Sequence, residues 1–386
     1  MKTWRNTTSF PKPLRMFDNP NHIGVIGIGK LGLCFALNLD LAGFEVTALD
    51  KNAAYVDEVN ARTLKSHEPQ VEEMLANAGN VYATTDMQEF LASGVHLIFV
   101  VVATPSLPDG SYDHSQVDAL AAALEAAAPG RPLHLVIMCT TMPGYCDCLA
   151  ERLAPLDIAV SYNPEFIAQG TVVRDQQYPD QILIGEANEA AGNAIEEVYR
   201  RMVHNEPAYC RMSRISAEIA KIATNCFLTT KISFANSIGD LATKVGAEPD
   251  KILAAIGSDQ RIGPRYLRYG FGYGGPCFPR DNRALGIYGE REGFPVLISE
   301  ATDAVNRQHL DFQFEQYLAQ HAPEDVITFE HVTYKPGTTI LEESQQLALA
   351  VKLAQAGRKV LVREHPAVIE ELKAQYGDLF SYEAHG

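Results

Sequence analysis

Short apolar runs alternate with helical segments from His22 onward, and this alternation predicts an α/β fold. The runs HIGVIGIG, FEVTALD, VHLIFVVVA, LHLVIMCT and LDIAVSYNP are strand-length and rich in Val, Ile and Leu, and helical stretches such as 117–128 separate them. Near-continuous apolar strands of this kind are typical of a parallel, doubly wound sheet, because its strands are buried on both faces. The run DQILIGEA (180–187) is expected to add another strand at the edge of this first domain.

The pattern changes after Arg211. Residues up to Gly246 have apolar positions at helical spacing and no proline, which predicts one long helix beginning at Ser213 or Ser216, and EPDKILAAIG predicts a second helix. Further on, DVITFEHVTY, EESQQLALAVKLAQAG and RKVLVREH predict a single β-α-β unit. The predicted divisions are an N-terminal extension (1–20), a first α/β domain (21–211), a central helical domain (212–310) and a shortened second α/β domain (311–386).

Composition and charge restrict the class of protein. A hydrophobic fraction of 46% and a charged fraction of 21% indicate a folded globular chain. The net charge of −16 argues against nucleic-acid or anionic-membrane partners, and no apolar run reaches transmembrane length. Seven cysteines, an odd number, indicate free thiols in a reducing cytoplasm. The spacing of Cys146 and Cys148 does not fit a zinc pair, so no metal site is expected.

The segment GIGKLG follows the first apolar strand and opens a helix. Glycines at such a strand–turn–helix junction let backbone N–H groups approach a pyrophosphate. Asp50 closes the next strand, where a carboxylate can hydrogen-bond an adenosine ribose and repel a 2′-phosphate. The pattern predicts NAD rather than NADP, and a glycine-rich turn in a non-binding domain is the alternative. The predicted cofactor contacts are Gly27, Gly29, Lys30, Leu31, Gly32 and Asp50.

Three polar residues follow later strands of the predicted sheet. Thr104 comes after VHLIFVVVA and Thr141 after LHLVIMCT. Ligands of open α/β sheets bind outside the carboxyl ends of the strands, so both threonines can face the cofactor, although each is equally consistent with ordinary capping. Glu165, in NPEFIAQG, stands where a carboxylate can act as a base or hold water, with a solvated surface glutamate as the alternative.

The long helix carries three polar residues on one face. Glu218, Lys221 and Asn225 are spaced i, i+3 and i+7, among apolar neighbours. A helix packed on several sides needs partners for such groups. They are therefore candidates for a functional site, and a salt bridge between Glu218 and Lys221 is the structural alternative.

In the segment GFGYGGPCFPRD (270–281), four glycines and two aromatic residues precede a cysteine. The glycines are expected to let the backbone approach a ligand, and Phe271 and Tyr273 can cover a ring or base. If a helix begins near Pro279, Cys277 lies at its start. A thiol there, beside Lys221 or Arg280, is expected to have a lowered pKa and to act as a nucleophile. A buried structural cysteine is the alternative, but it does not explain the glycines and aromatic rings.

Five segments resemble motifs of the UDP-glucose/GDP-mannose dehydrogenase family, in the family's order. GYGGPCFPRD resembles its GxGGSCFPKD, NPEFIAQG its NPEFLxEG, SAEIAKIATN its AExxKxxxN, DQRIG its DxRIG, and TYKPGTT its FKPxTDD. The resemblance covers most of the chain. It implies a Rossmann-like NAD-binding domain, a central helical dimerisation domain and a second α/β domain that holds a nucleotide diphosphate.

The resemblance also implies a reaction: the four-electron oxidation of a sugar CH2OH to a carboxylate by two NAD molecules in turn, with UDP-glucose the expected substrate. By matching position, Cys277 traps the aldehyde as a thiohemiacetal, which is then oxidised to a thioester, while Lys221 and Asn225 stabilise the oxyanion. Thr141, Glu165 and Asp281 position water and move protons. Further cofactor contacts are implied for Thr104, Thr141 and Arg280. Substrate contacts are implied for Glu165, Phe166, Gln169, Lys221, Arg261 (donated across a homodimer), Tyr266, Phe271, Tyr273, Gly274 and Lys335.

The chain departs from the family's motifs at several positions. Gln169 replaces a second glutamate, Pro276 and Arg280 replace Ser and Lys, and Glu342 stands where an arginine is usual. Exchanging a cation for a carboxylate weakens the binding of a diphosphate. Two other hypotheses follow from these departures. One is a diverged dehydrogenase that acts on another sugar or nucleoside alcohol, and the other is a non-catalytic paralogue that binds NAD.

Overall fold

The structure is a computed structural model that describes residues 19–167 and 170–384, so the extension predicted for 1–20 lies almost wholly outside the described residues. The chain divides into two compact units. The first unit runs to Pro105 and resumes from Asp113 to Glu218. The second unit consists of Ser106–Tyr112 and the chain from Ile219 onward.

The first unit is a sheet flanked by helices. Within the described residues its strands are β1 (His22–Ile26), β2 (Glu45–Leu49), β3 (Val81–Thr84), β4 (Leu97–Val100), β5 (Leu133–Ile137), β6 (Ile158–Tyr162), β7 (Gln181–Gly185) and β8 (Ala208–Met212). Its helices are α1 (Lys30–Leu41), α2 (Ala53–Asn60), α3 (Val71–Asn77), α4 (Met87–Ala92), α5 (Ser115–Ala127), α6 (Tyr145–Leu153), α7 (Val172–Gln177), α8 (Glu189–Met202) and the first turns of α9 (Arg214–Lys244).

The strands lie in the order β3-β2-β1-β4-β5-β6-β7-β8, which confirms the doubly wound sheet. Strands β1 to β6 pair in parallel, with Ile23 opposite Val46 on one side and Leu97 on the other. Two details of the prediction are wrong. DQILIGEA forms β7 inside the sheet, with β8 at the edge, and β7 runs antiparallel to β6. A buried apolar run does not encode its direction, because either direction buries the same side chains.

The core of the first unit lies between this sheet and its helices. Every residue of β1, β4 and β5 is buried, which accounts for their near-continuous apolar runs. Helix α1 packs Phe35 against Phe99 of β4, with ring centroids 4.9 Å apart. The strand order reverses between β1 and β4, and in open α/β sheets the carboxyl ends of the strands at such a point form the ligand crevice.

The second unit combines a helical region with a small parallel sheet. Its helices are α9 from Ile219, α10 (Pro249–Gly257), α11 (Phe278–Arg291), α12 (Leu297–Gln320), α13 (Gln345–Gln355) and α14 (Pro366–Tyr376). Its strands, in the order β11-β10-β9, are β9 (Val326–Phe329), β10 (Lys359–Glu364) and β11 (Ser381–Ala384). The predicted β-α-β unit is therefore extended by α14 and a third strand. The mostly exposed β11 lacks the apolar run that predicts a strand.

Helices dominate the middle of the second unit. The predicted long helix is confirmed as α9. Helix α12, which the hydrophobic pattern did not reveal, buries polar side chains, including Asn306 and His309, and packs against α11 and α13. In the part of the chain that the structure describes, no helix has the length and apolar character needed to cross a membrane.

Candidate active site

In the first unit, β1 leads into α1 through the glycine-rich turn 27–32. A Cβ on Gly27 would stand 2.6 Å from the carbonyl oxygen of Val101, and a Cβ on Gly32 would stand 1.9 Å from the carbonyl oxygen of Gly27. A Cβ on Gly29, at the N-cap of α1, would instead meet open space. Two glycines thus let the turn pack closely, and the third leaves room at a helix N-terminus, where a pyrophosphate binds.

Asp50, directly after β2, fixes this turn from the side. Its Oδ2 accepts a hydrogen bond from the backbone N–H of Ile28 (3.0 Å), and its Oδ1 accepts one from Asn52 (3.0 Å). The residue is only half-buried, so the carboxylate keeps lone pairs that can accept hydrogen bonds from ribose hydroxyls. Lys30 is exposed and Leu31 half-buried beside the same turn. The open Gly29 and the accessible Asp50 fit a dinucleotide.

The other polar residues predicted in the first unit also follow parallel strands. Thr104, after β4, donates to a backbone carbonyl in the loop after β5 (2.8 Å). Glu165, after β6, accepts from Nε2 of Gln176 (3.3 Å), and Phe166 beside it is half-buried. Gln169 lies outside the described residues. Because the carboxyl ends of parallel strands share one edge of a sheet, this edge gathers the predicted cofactor residues and Glu165.

Thr141 belongs to a loop that one buried carboxylate organises. Its hydroxyl donates to Oε1 of Glu218 (2.9 Å), which also accepts from the N–H of Cys146 (2.9 Å), while Oε2 accepts from Gly144 (2.7 Å). Glu218 is fully buried, and burial raises its pKa against the effect of these donors. Its signal in the sequence was a carboxylate on an otherwise apolar helix, but its partners, more than 70 residues away, could not be predicted.

In the second unit, Asp281 lies on the first turn of α11 and is only 1% exposed. Its Oδ2 accepts from Nδ2 of Asn225 (2.6 Å), and its Oδ1 accepts from the hydroxyl of Tyr112 (2.7 Å). Its N–H donates to the carbonyl of Cys277 (2.8 Å), the N-cap of the helix. The structure thus brings three of the candidate residues, Cys277, Asp281 and Asn225, together with Tyr112, which the sequence analysis did not single out.

Cys277 is an exposed cysteine at the start of α11. The surrounding protein still limits hydration of the thiol, and this desolvation raises its pKa, with a further increase from the carboxylate of Asp281. The charges of Arg280 and Lys221 lower the pKa of the thiol, but by less than desolvation and Asp281 raise it. The predicted lowering of the thiol pKa is therefore wrong. A reaction through Cys277 needs a base to remove its proton.

The glycines before Cys277 pack against the chain itself. A Cβ on Gly272 would stand 2.2 Å from Oδ1 of Asn306, and one on Gly274 would stand 2.3 Å from the carbonyl oxygen of Glu343. A Cβ on Gly275 would meet the ring of Tyr334 at 2.4 Å. The expectation that these glycines leave room for a ligand is corrected: three of the four make room for neighbouring residues, and only Gly270 is open.

The remaining predicted substrate residues lie at separate places in the second unit. Tyr273 is 3% exposed and donates its hydroxyl to Asp303, and Phe271 packs against the core of the small sheet. Arg261 is highly exposed and pairs with Asp259. Tyr266 is exposed and Lys335 half-buried, in a turn after β9. Their roles toward a substrate stay predictions.

Comparison with known proteins identifies close relatives. Family models of the UDP-glucose/GDP-mannose dehydrogenase family match residues 21–203 (NAD binding domain) and 215–308 (central domain). The UDP-glucose 6-dehydrogenase of Pseudomonas aeruginosa is 33% identical over 359 residues, 89% of this chain and 78% of that protein. The enzyme of the same name from Rhizobium meliloti is 32% identical, covering 88% and 80%. A solved UDP-glucose dehydrogenase from Pyrobaculum islandicum superposes with a TM-score of 0.85 at 30% identity, covering 97% and 87%.

Proposed function

Because the chain belongs to the UDP-glucose/GDP-mannose dehydrogenase family, we propose that it oxidises UDP-glucose to UDP-glucuronate. It is an NAD-dependent oxidoreductase. The observation that carries the proposal is the placement of Cys277 at the start of α11, one turn before an Asp281 carboxylate that Asn225 and Tyr112 hold. A nucleophile and a buried carboxylate in one helical turn are the groups that covalent capture of an aldehyde needs.

The first unit supplies the cofactor site. The N-terminus of α1 at Gly29 would hold the pyrophosphate of NAD, and Asp50 would hold the adenosine ribose. When bound, NAD accepts one hydride in each of the two oxidations of the substrate carbon. Thr104 and Thr141 stand at the same edge of the sheet, and Glu165 is proposed to hold the substrate and position water.

The second unit supplies the covalent chemistry. Asp281 takes the thiol proton directly or through water, and the sulfur of Cys277 bonds to the carbon of the intermediate aldehyde. The carbonyl oxygen becomes an alkoxide that Lys221 and Asn225 stabilise. Loss of the second hydride gives a thioester. Water then breaks the C–S bond, which releases the carboxylate and returns the proton to Cys277. Covalent attachment keeps the aldehyde from leaving between the two oxidations.

The proposal includes a homodimer in the cytoplasm. Helix α9 exposes Phe227, Phe234 and Leu241, spaced seven residues apart, to 65%, 47% and 59%. An exposed apolar stripe of this size on a long helix is typical of a protein interface. The side chain of Arg261 is also exposed, so a partner subunit could reach it. In the part of the chain that the structure describes, the seven cysteines form no disulfide with one another, which is consistent with a reducing compartment.

The reaction is tested by the ratio of NADH to sugar acid. We expect two NADH for each UDP-glucose consumed, and Cys277→Ser should abolish release of the acid because the reaction stops at the free aldehyde or at a serine ester in place of the thioester. Cys148→Ser, at an exposed thiol on α6, is the matched control and should behave as wild type. One NADH per sugar, or full activity in Cys277→Ala, would contradict the proposal.

A second candidate substrate is another sugar, one without the diphosphate. After burial and Asp281, the carboxylate of Glu342 also raises the pKa of Cys277, so a negative charge lies near the thiol where the family's motif has an arginine. Initial rates with UDP-glucose, GDP-mannose and glucose discriminate between the candidates. If UDP-glucose is the substrate, Glu342→Arg should lower its KM. If a neutral sugar is the substrate, Glu342→Arg should not lower the KM of any nucleotide sugar.

A further inference from the structure

We infer that Tyr112 is a positioning residue for the carboxylate of Asp281. The inference rests on the proposed function, which assigns proton transfer to that carboxylate. The Tyr112 hydroxyl donates to Oδ1 (2.7 Å) and Asn225 donates to Oδ2 (2.6 Å), while Nε of Arg280 makes a longer contact with Oδ1 (3.5 Å). Tyr112 is 2% exposed and Asp281 is 1% exposed. Water therefore does not compete for this hydrogen bond as it does at the surface.

Tyr112 reaches Asp281 because a short hairpin presents it to α11. Ser106 and Tyr112 form an isolated antiparallel bridge, and the N–H of Leu107 donates to the carbonyl of Ser111 (2.8 Å). Gly110 turns the hairpin with φ +84°, in the left-handed region that favours glycine. The hairpin is a part of the second unit, although it lies in the sequence between two parts of the first.

Two further contacts hold the hairpin on the same helix. Asp109 accepts from Arg291 (2.8 Å), near the end of α11. A Cβ on Gly110 would stand 2.6 Å from Cδ1 of Ile287, so the hairpin lies directly against the helix. Contacts at positions 281, 287 and 291 restrain the hairpin along most of α11. The position of the Tyr112 hydroxyl is thus determined by several contacts rather than by one hydrogen bond.

The phenol affects both charged neighbours of the thiol. As a donor it restrains rotation of the Asp281 carboxylate. The centroid of its ring also lies 5.0 Å from the guanidinium carbon of Arg280. Asp281 raises the pKa of Cys277 and Arg280 lowers it. A change at Tyr112 should therefore be detected in the reactivity of Cys277 as well as in turnover.

Tyr112→Phe removes only the hydroxyl and is the principal test. We expect kcat to fall about tenfold to a hundredfold, the scale of a lost hydrogen bond to a charged group, with little change in KM or in the Kd of NAD. A wild-type kcat in Tyr112→Phe would overturn the inference.

Tyr82→Phe is the matched control, since the Tyr82 hydroxyl also donates to a carboxylate, that of Glu89 (2.7 Å), on the exposed surface of the first unit. It should leave kcat unchanged. A double-mutant cycle makes the test specific: in an Asp281→Asn background, Tyr112→Phe should have no further effect. An undiminished effect in that background would show that Tyr112 does not act through Asp281.

A second readout is independent of the substrate. The pH midpoint of Cys277 alkylation by iodoacetamide, followed by peptide mass spectrometry, should rise in Tyr112→Phe and stay constant in Tyr82→Phe. If the wild-type protein makes no NADH from UDP-glucose, the proposed function fails, while this midpoint still decides the role of Tyr112. If Tyr112→Phe does not fold, Asp109→Asn weakens the hairpin anchor and should shift the midpoint in the same direction by less. An unmoved midpoint overturns the inference.

Discussion

The two glycine-rich segments of this chain, 27–32 and 270–275, differ in what their glycines approach. In the first segment, Gly29 faces open space at the start of α1. In the second, Gly272, Gly274 and Gly275 would each place a Cβ less than 2.5 Å from another residue of the chain. The number of glycines therefore does not identify a ligand contact. The atoms that a Cβ would meet distinguish a site for a ligand from a site of close packing.

The supports of the two segments differ as well. Asp50 and backbone contacts hold the first turn. Buried side chains of α9 and α12 hold the second: Oδ1 of Asn236 accepts from Gly270 (3.1 Å), and the amide of Asn306 exchanges two hydrogen bonds of 3.0 Å with the backbone of Tyr273. His309 bonds the carbonyl of Gly270 (2.5 Å). The shape of the loop before Cys277 therefore depends on side chains far away in sequence.

The largest expected effect is that of Gly32→Ala compared with Gly29→Ala. A methyl group on Gly32 would stand 1.9 Å from a carbonyl oxygen, so we expect a loss of more than about 4 kcal/mol in the free energy of unfolding. Gly29→Ala should change stability by less than about 0.5 kcal/mol but raise the Kd of NAD at least about tenfold, because the methyl occupies the open space at the helix N-terminus. Denaturant unfolding and NAD titration measure both, and equal losses of stability would contradict the comparison.

A smaller effect is expected from Gly275→Ala compared with Gly270→Ala. Gly275 has φ +81° and lies against the Tyr334 ring, so an alanine there is both strained and crowded. We expect a loss of about 2–4 kcal/mol, from about 1–3 for the backbone conformation and the remainder for displacement of the ring. A Cβ on Gly270 meets nothing within 4 Å, so Gly270→Ala should be nearly neutral. If the two variants unfold at the same denaturant concentration, the packing role of the second segment is wrong.

The sequence predicted the parts of the fold that local patterns encode. The strands β1, β4 and β5 are buried throughout, so their apolar runs were unambiguous, and α9 contains no proline. Helix α12 was missed because the residues it buries, such as Thr302 and His309, are polar and leave no hydrophobic period. The four-residue β11 is mostly exposed and pairs with β10 only through its backbone. Its sequence therefore carries no apolar signal.

The placement of a candidate residue was predictable where it depends on the residue's own position in a helix or at the end of a strand. Cys277 and Asp281 are one turn apart in the sequence itself, and Gly29 follows directly from β1. Tyr112 is 169 residues from Asp281, so their hydrogen bond follows from tertiary structure alone. The sign of the Cys277 pKa shift was wrong for the same reason: desolvation depends on the packing of the whole unit, whereas the nearby cations were visible in the sequence.

Tyr273→Phe sharpens the assignment of the second segment to packing. The Tyr273 hydroxyl donates to Asp303, which also accepts from Asn282 (2.9 Å). Removing the hydroxyl leaves Asp303 with one donor fewer, and we expect a loss of about 1–2 kcal/mol in the free energy of unfolding with an unchanged KM for the sugar. Thermal unfolding and initial rates measure the two quantities. A raised KM at unchanged stability would show that Tyr273 contacts the substrate instead.

The smallest expected effect concerns the cysteine that follows each segment. Cys34, on α1, is 1% exposed, and burial with the charges of Glu68 and Glu165 raises its pKa to about 12, whereas Cys277 is exposed. Iodoacetamide should therefore alkylate Cys277 and leave Cys34 unmodified in the native protein. Asp281→Asn removes a negative charge that disfavours the thiolate, so the alkylation midpoint of Cys277 should fall. Lys221→Met removes a cation and should raise the midpoint. If both changes moved it in the same direction, charge would not control this thiol, and the difference between the two cysteines would follow from accessibility alone.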